Sequence, residues 1–179
     1  MQRNTIFILP YRTPCGTLLL GSFNHQLCLC DWQAAPHHTQ ILKRLQRLLH
    51  ADFTEHITPA IEQATAQLDE YFAGTRRAFS VPLLFAGTEF QKAVWNELLH
   101  IPYSTTISYA DLALRIGKPT AVRAVANATG ANALSIFVPC HRVIGTNGSL
   151  TGYAGEIPTK QWLLHHEATQ SHRPTPDNP

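Results

Sequence analysis

The sequence predicts a mixed fold of the α/β (α+β) class, with a small antiparallel sheet and helices first and a mainly helical half after it. Three short apolar segments separated by turn residues predict the sheet. Segments with apolar residues at helical spacing predict the helices of both halves. The 179 residues, 44% of them hydrophobic, are enough for one large domain or two small ones.

The first half, residues 1–87, holds the predicted sheet and two helices. The strands are residues 5–11, 16–22 and 26–31, and their lengths favour an antiparallel meander. Ile41 to Leu49 repeat apolar residues at helical spacing and predict the first helix. The second helix begins at Pro59 and ends before Gly74. Its predicted buried face consists of Ile61, Ala64, Leu68 and Phe72.

Cys28 and Cys30 leave two interpretations open. Residues two apart in a strand share a face, so both thiols could bind one metal together with the nearby Cys15 and His25. Small buried cysteines that alternate with leucines explain the pattern equally well. No catalytic arrangement is evident in this half.

The composition excludes several protein classes. No run of 18 apolar residues is present, and the N-terminus lacks a signal-peptide pattern. Four cysteines are too few for a disulfide framework, so we expect a cytoplasmic protein. The net charge of +2 is modest, but residues 112–155 contain no Asp or Glu. This segment predicts attraction to phosphate, with a solvated basic face as the alternative. Its cations are Arg115, Lys118, Arg123 and Arg142.

The second half, residues 88–169, opens on a capping box formed by Thr88 and Gln91. Ser108 is the predicted cap of a helix over 109–116, a turn at Gly117 follows, and a third helix covers about 120–129. This order is typical of a helix-turn-helix, and small residues around Arg123 would let the last helix approach another surface closely. Short alanine-rich helices are also common in protein cores, so the pattern alone does not decide.

The run Pro139-Cys140-His141-Arg142-Val143 is the most informative motif of the chain. Ser135–Val138 is predicted to be a buried strand that Pro139 ends. A thiol at the end of a strand, followed by an imidazole, suits nucleophilic chemistry. A buried cysteine in a turn is the alternative.

The C-terminal segment predicts a turn, a loop and one more helix. Asn147-Gly148 favours a hairpin turn, and 151–155 is a loop of small residues suited to line a pocket. A last helix covers about 159–168, with Trp162 on its apolar side. We expect the tail, residues 170–179, to be disordered.

From Phe90 to Glu167 the chain resembles the O6-alkylguanine-DNA alkyltransferases, also called methylated-DNA–protein-cysteine methyltransferases, and among them the free-standing bacterial type. The N-terminal half is similar only in length and in strand and helix order. The resemblance implies a ribonuclease H-like N-terminal domain and a winged-helix-like C-terminal domain that carries the helix-turn-helix and the acceptor cysteine. The matching motifs are Ile107-Ser108-Tyr109, Val122-Arg123-Ala124-Val125, Asn132, Pro139 to Ile144, Gly152-Tyr153-Ala154-Gly155 and Trp162-Leu163-Leu164 with Glu167.

The resemblance also implies the reaction, a single irreversible transfer of an alkyl group from O6-alkylguanine, and from O4-alkylthymine, to Cys140. His141 takes the thiol proton through a water molecule, Glu167 orients His141, and Tyr109 protonates the leaving base. Asn132 ties the recognition helix to the active-site segment. The implied pocket residues are Val143, Tyr153, Ala154 and Gly155. No cofactor and no metal are expected.

The implied partner is double-stranded DNA that contains O6-alkylguanine, bound by a monomer through the minor groove without a membrane. Arg123 matches the arginine that replaces the flipped nucleotide in the duplex. The implied DNA-binding residues are Arg123, Ala124, Ala126, Asn127 and Tyr109.

Three residues depart from the family pattern. Ala126 replaces a common Gly, Ala133 replaces a common Pro and is expected to loosen the link through Asn132, and Glu156 puts a carboxylate near the pocket rim. Two other functions fit parts of the sequence. A module that recognises alkylated guanine without repairing it would lack Cys140, and a thiol hydrolase would have no use for a DNA-reading helix.

Overall fold

The structure is a computed structural model, and it describes residues 4–151 and 156–172. Its first half contains the predicted antiparallel meander, β1 (Asn4–Thr13), β2 (Gly16–Phe23) and β3 (Gln26–Trp32). A fourth strand, β4 (Ala51–Glu55), pairs parallel to β1 and was not predicted. The sheet is therefore mixed, in the order β3-β2-β1-β4.

Two helices cover the two faces of this sheet. On one face, α1 (His38–Leu49) packs Leu45 into the same buried cluster as Leu29 of β3. On the other face, α2 (Pro59–Ala73) packs Leu68 into the cluster that contains Leu20 of β2. The sheet thus has a hydrophobic core on each side.

The ends of α2 are as the sequence predicts. The Thr58 side chain accepts a hydrogen bond from the backbone N–H of Ile61, and Gly74 ends the helix at φ 80°, a conformation that glycine adopts without strain. The predicted buried face was wrong at one position, because Tyr71 is buried and Phe72 is only partly so.

Cys28 and Cys30 do not share a face. A β-bulge between β2 and β3, opposite Gly21 and Ser22, adds one residue to β3 and reverses the alternation of side chains. Cys28 therefore belongs to the core under α1, and Cys30 to the core under α2. The premise for a shared metal site was wrong, and the interpretation as small core residues fits both positions.

The described part of the second half consists of helices and of strands only two residues long. They are α3 (Glu89–Leu98), β5 (Ile107–Ser108), α4 (Tyr109–Arg115), α5 (Val122–Gly130), β6 (Val143–Ile144) and α6 (Ile157–Ser171). The last helix continues through Ser171, so the predicted start of disorder at residue 170 was wrong. Thr88 and Gln91 form the predicted capping box, and Ser108 and Asp111 form a second one. The predicted helix-turn-helix is α4, a turn with Gly117 at φ 71°, and α5.

The predicted strand over Ser135–Val138 was wrong. Ile136 has φ 72°, in the left-handed region, so the segment forms a tight buried turn in which the Val138 N–H donates to the Leu134 carbonyl. Apolar content indicated burial correctly but could not distinguish a strand from a buried turn. The Asn147-Gly148 turn is present, with Gly148 at φ 80°, but among the described residues it does not join two paired strands, because the strand before it pairs with Ile107–Ser108 instead.

The two halves are joined by backbone hydrogen bonds at the edge of β3. The Cys30 N–H donates to the Ala133 carbonyl at 2.7 Å, and the Ser135 N–H donates to the Cys30 carbonyl at 2.8 Å. Residues of α2, α3, α4, α5 and α6 share one core cluster. The segment that leads to Cys140 is thus fixed to the sheet of the first half. Among the described residues, no helix is long and apolar enough to cross a membrane.

Candidate active site

Cys140 begins a short 3₁₀ turn, Cys140–Arg142, directly after Pro139. Its side chain is buried, and its Sγ accepts a hydrogen bond of 3.1 Å from Nδ2 of Asn132. Asn132 follows the end of α5 and also donates to the Val138 carbonyl at 3.0 Å. These bonds join the end of α5 to the thiol. The link through Asn132, which Ala133 was expected to loosen, is therefore intact.

His141 and Glu167 form a buried pair. His141 Nε2 lies 2.7 Å from Oε1 of Glu167, and neither side chain is exposed. A carboxylate only accepts hydrogen bonds, so Nε2 must carry the proton and Nδ1 must be the basic nitrogen of neutral His141. Nδ1 is buried and has no hydrogen-bond partner within the described structure. The imidazole is therefore oriented with a free basic atom.

Arg142 holds the same carboxylate. Its Nε donates to Oε2 and its Nη2 to Oε1 of Glu167, each at 2.9 Å, while Nη1 donates to the Ile101 carbonyl at 2.8 Å. Two further donors complete the cage: the Tyr71 hydroxyl contacts Oε1 at 2.9 Å and the Ser104 N–H contacts Oε2 at 3.0 Å. A buried carboxylate with this many donors is held in one orientation.

The pKa shifts indicate which groups of this cluster are charged. Burial alone would raise the pKa of Glu167, but His141 and Arg142 outweigh it and hold this pKa well below its ordinary value. Burial lowers the pKa of His141 despite the adjacent carboxylate. Burial also raises the pKa of Cys140, although the Asn132 donor and the Lys160 ammonium oppose this effect. The resting site therefore holds a thiol, a neutral imidazole and a carboxylate.

Tyr109, the first residue of α4, lies beside this cluster. Burial raises its pKa to about 12, with a smaller contribution from Cys140, so the phenol keeps its proton. Its hydroxyl donates to the Thr151 carbonyl at 2.5 Å. Only 6% of Tyr109 is exposed, which suits a role inside a pocket better than one on a DNA-facing surface.

Lys160 is a residue of the cluster that the sequence reasoning missed. Its side chain is fully buried, and Nζ donates to the carbonyls of Val143 at 2.5 Å and Thr151 at 3.1 Å. Nζ also lies 5.8 Å from the centre of the Tyr109 ring, and burial lowers the pKa of Lys160 to about 8. The available signal was its spacing of seven residues from Glu167, which puts both on one face of α6.

The first two turns of α5 present a surface made mostly of small residues. Arg123, Ala124 and Asn127 are exposed, and Ala126 is partly buried against the core. Of the basic residues predicted to attract phosphate, Arg115, Lys118 and Arg123 are exposed. Arg142 is not, because its guanidinium is buried against Glu167, so its inclusion in the basic surface was wrong.

Some predicted site residues lie at the edge of the described chain. Tyr153, Ala154 and Gly155 are outside the described residues. Val143 is buried, and its carbonyl already accepts from Lys160. Glu156 is exposed immediately before α6. Residues 4–151 and 156–172 contain no group of three or more His, Cys, Asp or Glu side chains placed to hold a metal ion.

Comparisons with known proteins agree with this arrangement. The family model described as "6-O-methylguanine DNA methyltransferase, DNA binding domain" matches residues 89–169. A second model, "6-O-methylguanine DNA methyltransferase, ribonuclease-like domain", matches residues 9–85. The predicted fold class, with a ribonuclease-like first half and a helical second half, is confirmed.

Curated relatives cover most of the chain. The constitutive methylated-DNA–protein-cysteine methyltransferase of Bacillus subtilis is 55% identical over 164 residues, which is 87% of this chain and 91% of the relative. The Mycobacterium tuberculosis methyltransferase is 45% identical over 139 residues, covering 75% and 84%. A crystal structure of Mycobacterium tuberculosis OGT in complex with DNA superposes with a TM-score of 0.77 at 37% identity, covering 93% of this chain and 94% of the other. The chain therefore belongs to the 6-O-methylguanine DNA methyltransferase family.

Proposed function

We propose that this protein repairs alkylated DNA by direct reversal, transferring the alkyl group of O6-alkylguanine, and of O4-alkylthymine, to Cys140. The observation that carries this proposal is a buried thiol, followed in the chain by an oriented imidazole whose Nδ1 has no partner in the described structure. The membership of the family and its DNA-binding relatives support it.

In the proposed reaction, neutral His141 accepts the thiol proton at Nδ1 through a water molecule. The thiolate forms a bond to the alkyl carbon, and the bond between that carbon and guanine O6 breaks. The imidazolium is stabilised by Glu167, as in other arrangements of nucleophile, base and carboxylate. Tyr109 gives a proton to the leaving base, and a proton returns to it from His141. The products are a thioether and unmodified guanine.

Nothing in this chemistry cleaves a thioether, so each molecule acts once and needs no cofactor. Arg123 and the exposed small residues of α5 support a role in the minor groove, where the lesion leaves the base stack. We also propose that residues 1–87 and 88–169 are the two domains, which the boundaries of the two family matches support. The free state of all four cysteines supports a reducing, cytoplasmic location.

The substitution Cys140→Ala tests the proposal. It removes the acceptor while leaving Asn132, His141 and α5 in place. We therefore expect the lesion to remain in the duplex, while the affinity of the protein for that duplex is unchanged. Repair would be followed under single-turnover conditions with wild type as the reference, and binding by titration of labelled DNA. Lesion removal by the variant would contradict the assignment of Cys140.

A further inference from the structure

The first half of the chain contributes a side chain that hydrogen-bonds directly to the carboxylate of the reaction centre. Tyr71 of α2 is fully buried, and its hydroxyl donates to Oε1 of Glu167 at 2.9 Å. Oε1 is the same oxygen that His141 Nε2 contacts at 2.7 Å. The phenol and the imidazole thus share one acceptor atom.

Tyr71 is held rigidly at both ends. Its backbone carbonyl lies 2.8 Å from Nε2 of His166, the residue next to Glu167 on α6. Its ring packs against Phe72, Phe79, Tyr103 and His166 at centroid distances of 5.3 to 6.2 Å. A donor fixed in this way keeps its geometry without reorganisation during a reaction.

The hydroxyl of Tyr71 remains a donor at every working pH. Burial raises its pKa well above the ordinary value, and the Glu167 carboxylate adds to this effect. The carboxylate is also held by Arg142 and by the Ser104 N–H, so its position does not depend on Tyr71 alone.

We propose that Tyr71 is a positioning residue of the acceptor site, which sets how strongly Glu167 attracts the proton on His141. This inference rests on the proposed function, in which His141 is the base. The hydroxyl proton places positive partial charge on Oε1, and this weakens the interaction of the carboxylate with the imidazole. Without it, Glu167 favours the imidazolium more strongly.

A more stable imidazolium favours the thiolate next to it, so Cys140 should react at lower pH when the Tyr71 hydroxyl is removed. Other charged or titratable groups also act on this cluster from the surrounding elements. They are Arg142 and Tyr103 facing Glu167, and Lys160, Asp31, Cys30 and Tyr109 facing Cys140 or His141. The substitution Tyr71→Phe changes none of them.

The test compares Tyr71→Phe with Tyr103→Phe. The Tyr103 hydroxyl is buried and has no hydrogen-bond partner in the described residues, and its ring touches Tyr71 and Arg142, so its removal is a matched control. Single-turnover methyl transfer from a duplex with O6-methylguanine would be measured between roughly pH 5 and 9. Duplex affinity and thermal unfolding would be measured in parallel.

For Tyr71→Phe we expect the pH at which the transfer rate reaches half of its plateau to fall by about half a unit or more, with duplex affinity unchanged. The plateau rate should stay within about threefold, because Arg142 and Ser104 still hold Glu167. The Tyr103→Phe profile should coincide with that of wild type. Coincident profiles for both variants would overturn the proposal, and so would a Tyr71→Phe protein that is unfolded at 25 °C.

A second probe separates this inference from the proposed function. The rate of Cys140 alkylation by iodoacetamide, followed by peptide mapping, reports ionisation of the thiol without any need for repair. If wild type transfers no methyl group, the proposed function fails. The iodoacetamide midpoints of the two variants still decide the role of Tyr71.

Discussion

Glu167 shows how single residues determine this site. Its fully buried carboxylate contacts three side-chain partners and one backbone donor. Removing one member of a buried charged network leaves the others without compensation, which costs more than the net contribution of the network itself. The carboxylate is thus important to the fold as well as to the orientation of His141.

The pH dependence of stability follows from the depressed pKa of Glu167. A group whose pKa is lower in the folded state contributes stability above its unfolded pKa, and this stability is lost as pH falls towards the folded value. The stability that Glu167 contributes should therefore be lost progressively as the pH falls below roughly 5. Chemical denaturation at several pH values would measure it.

For Glu167→Gln we expect a loss of about 3–5 kcal/mol in the free energy of unfolding at neutral pH, because Arg142 stays buried without its counter-charge. The remaining stability should depend less on pH below about 5 than that of wild type. A variant with wild-type stability at neutral pH, or with the same acid dependence, would contradict the role assigned to the carboxylate.

At the residue scale, the resemblance to the family's motifs identified Cys140, His141 and Glu167. Tyr71, Ser104 and Lys160 carry no such motif. Tyr71 and Ser104 come to Glu167 from distant parts of the chain, and only the packing of α2 and of the segment after α3 on α6 brings them there.

At the scale of elements, local chemistry predicted most boundaries. Thr88 and Ser108 cap their helices as expected, and Gly74 and Gly117 adopt the left-handed conformation that their positions require. These signals lie within a few residues of what they control, so a single sequence reveals them.

The errors concern elements that depend on distant partners. The strand β4 is short and largely exposed, and it forms because the backbone of β1 pairs with it. Ser135–Val138 has the composition of a strand, but Ser135 bonds to Cys30 of β3 and Ile136 turns the chain. Neither outcome is encoded in the local pattern of apolar residues.

Arg123 provides the test for α5. Arg123→Ala should slow methyl transfer from a duplex by about tenfold or more, because the variant lacks the side chain that we propose fills the space of the flipped nucleotide. Transfer from free O6-benzylguanine should change little. Single-turnover rates on both substrates would measure the difference.

Lys118→Ala is the matched control for Arg123→Ala, since Lys118 is an exposed cation in the turn before α5. It should lower duplex affinity modestly and in a salt-dependent way, without a selective loss of transfer. Equal loss of rate on duplex and free base in Arg123→Ala would argue against a role in flipping.

At the scale of the whole molecule, the two halves form one structural unit around the thiol. Residues of both halves share a core cluster, β3 bonds to the segment before Cys140, and α2 contributes Tyr71 to the carboxylate. The sequence could predict two halves from their composition. It could not predict their interface, because those contacts join residues far apart along the chain.

One measurement tests the central proposal most directly. The wild-type protein would be mixed with an excess of a short duplex that contains O6-methylguanine, and its intact mass and peptide map would then be determined. We predict one added methyl group per molecule, located on Cys140, with no further turnover. An unchanged protein mass, whether the lesion stays bound or is consumed repeatedly, would contradict irreversible transfer to this cysteine.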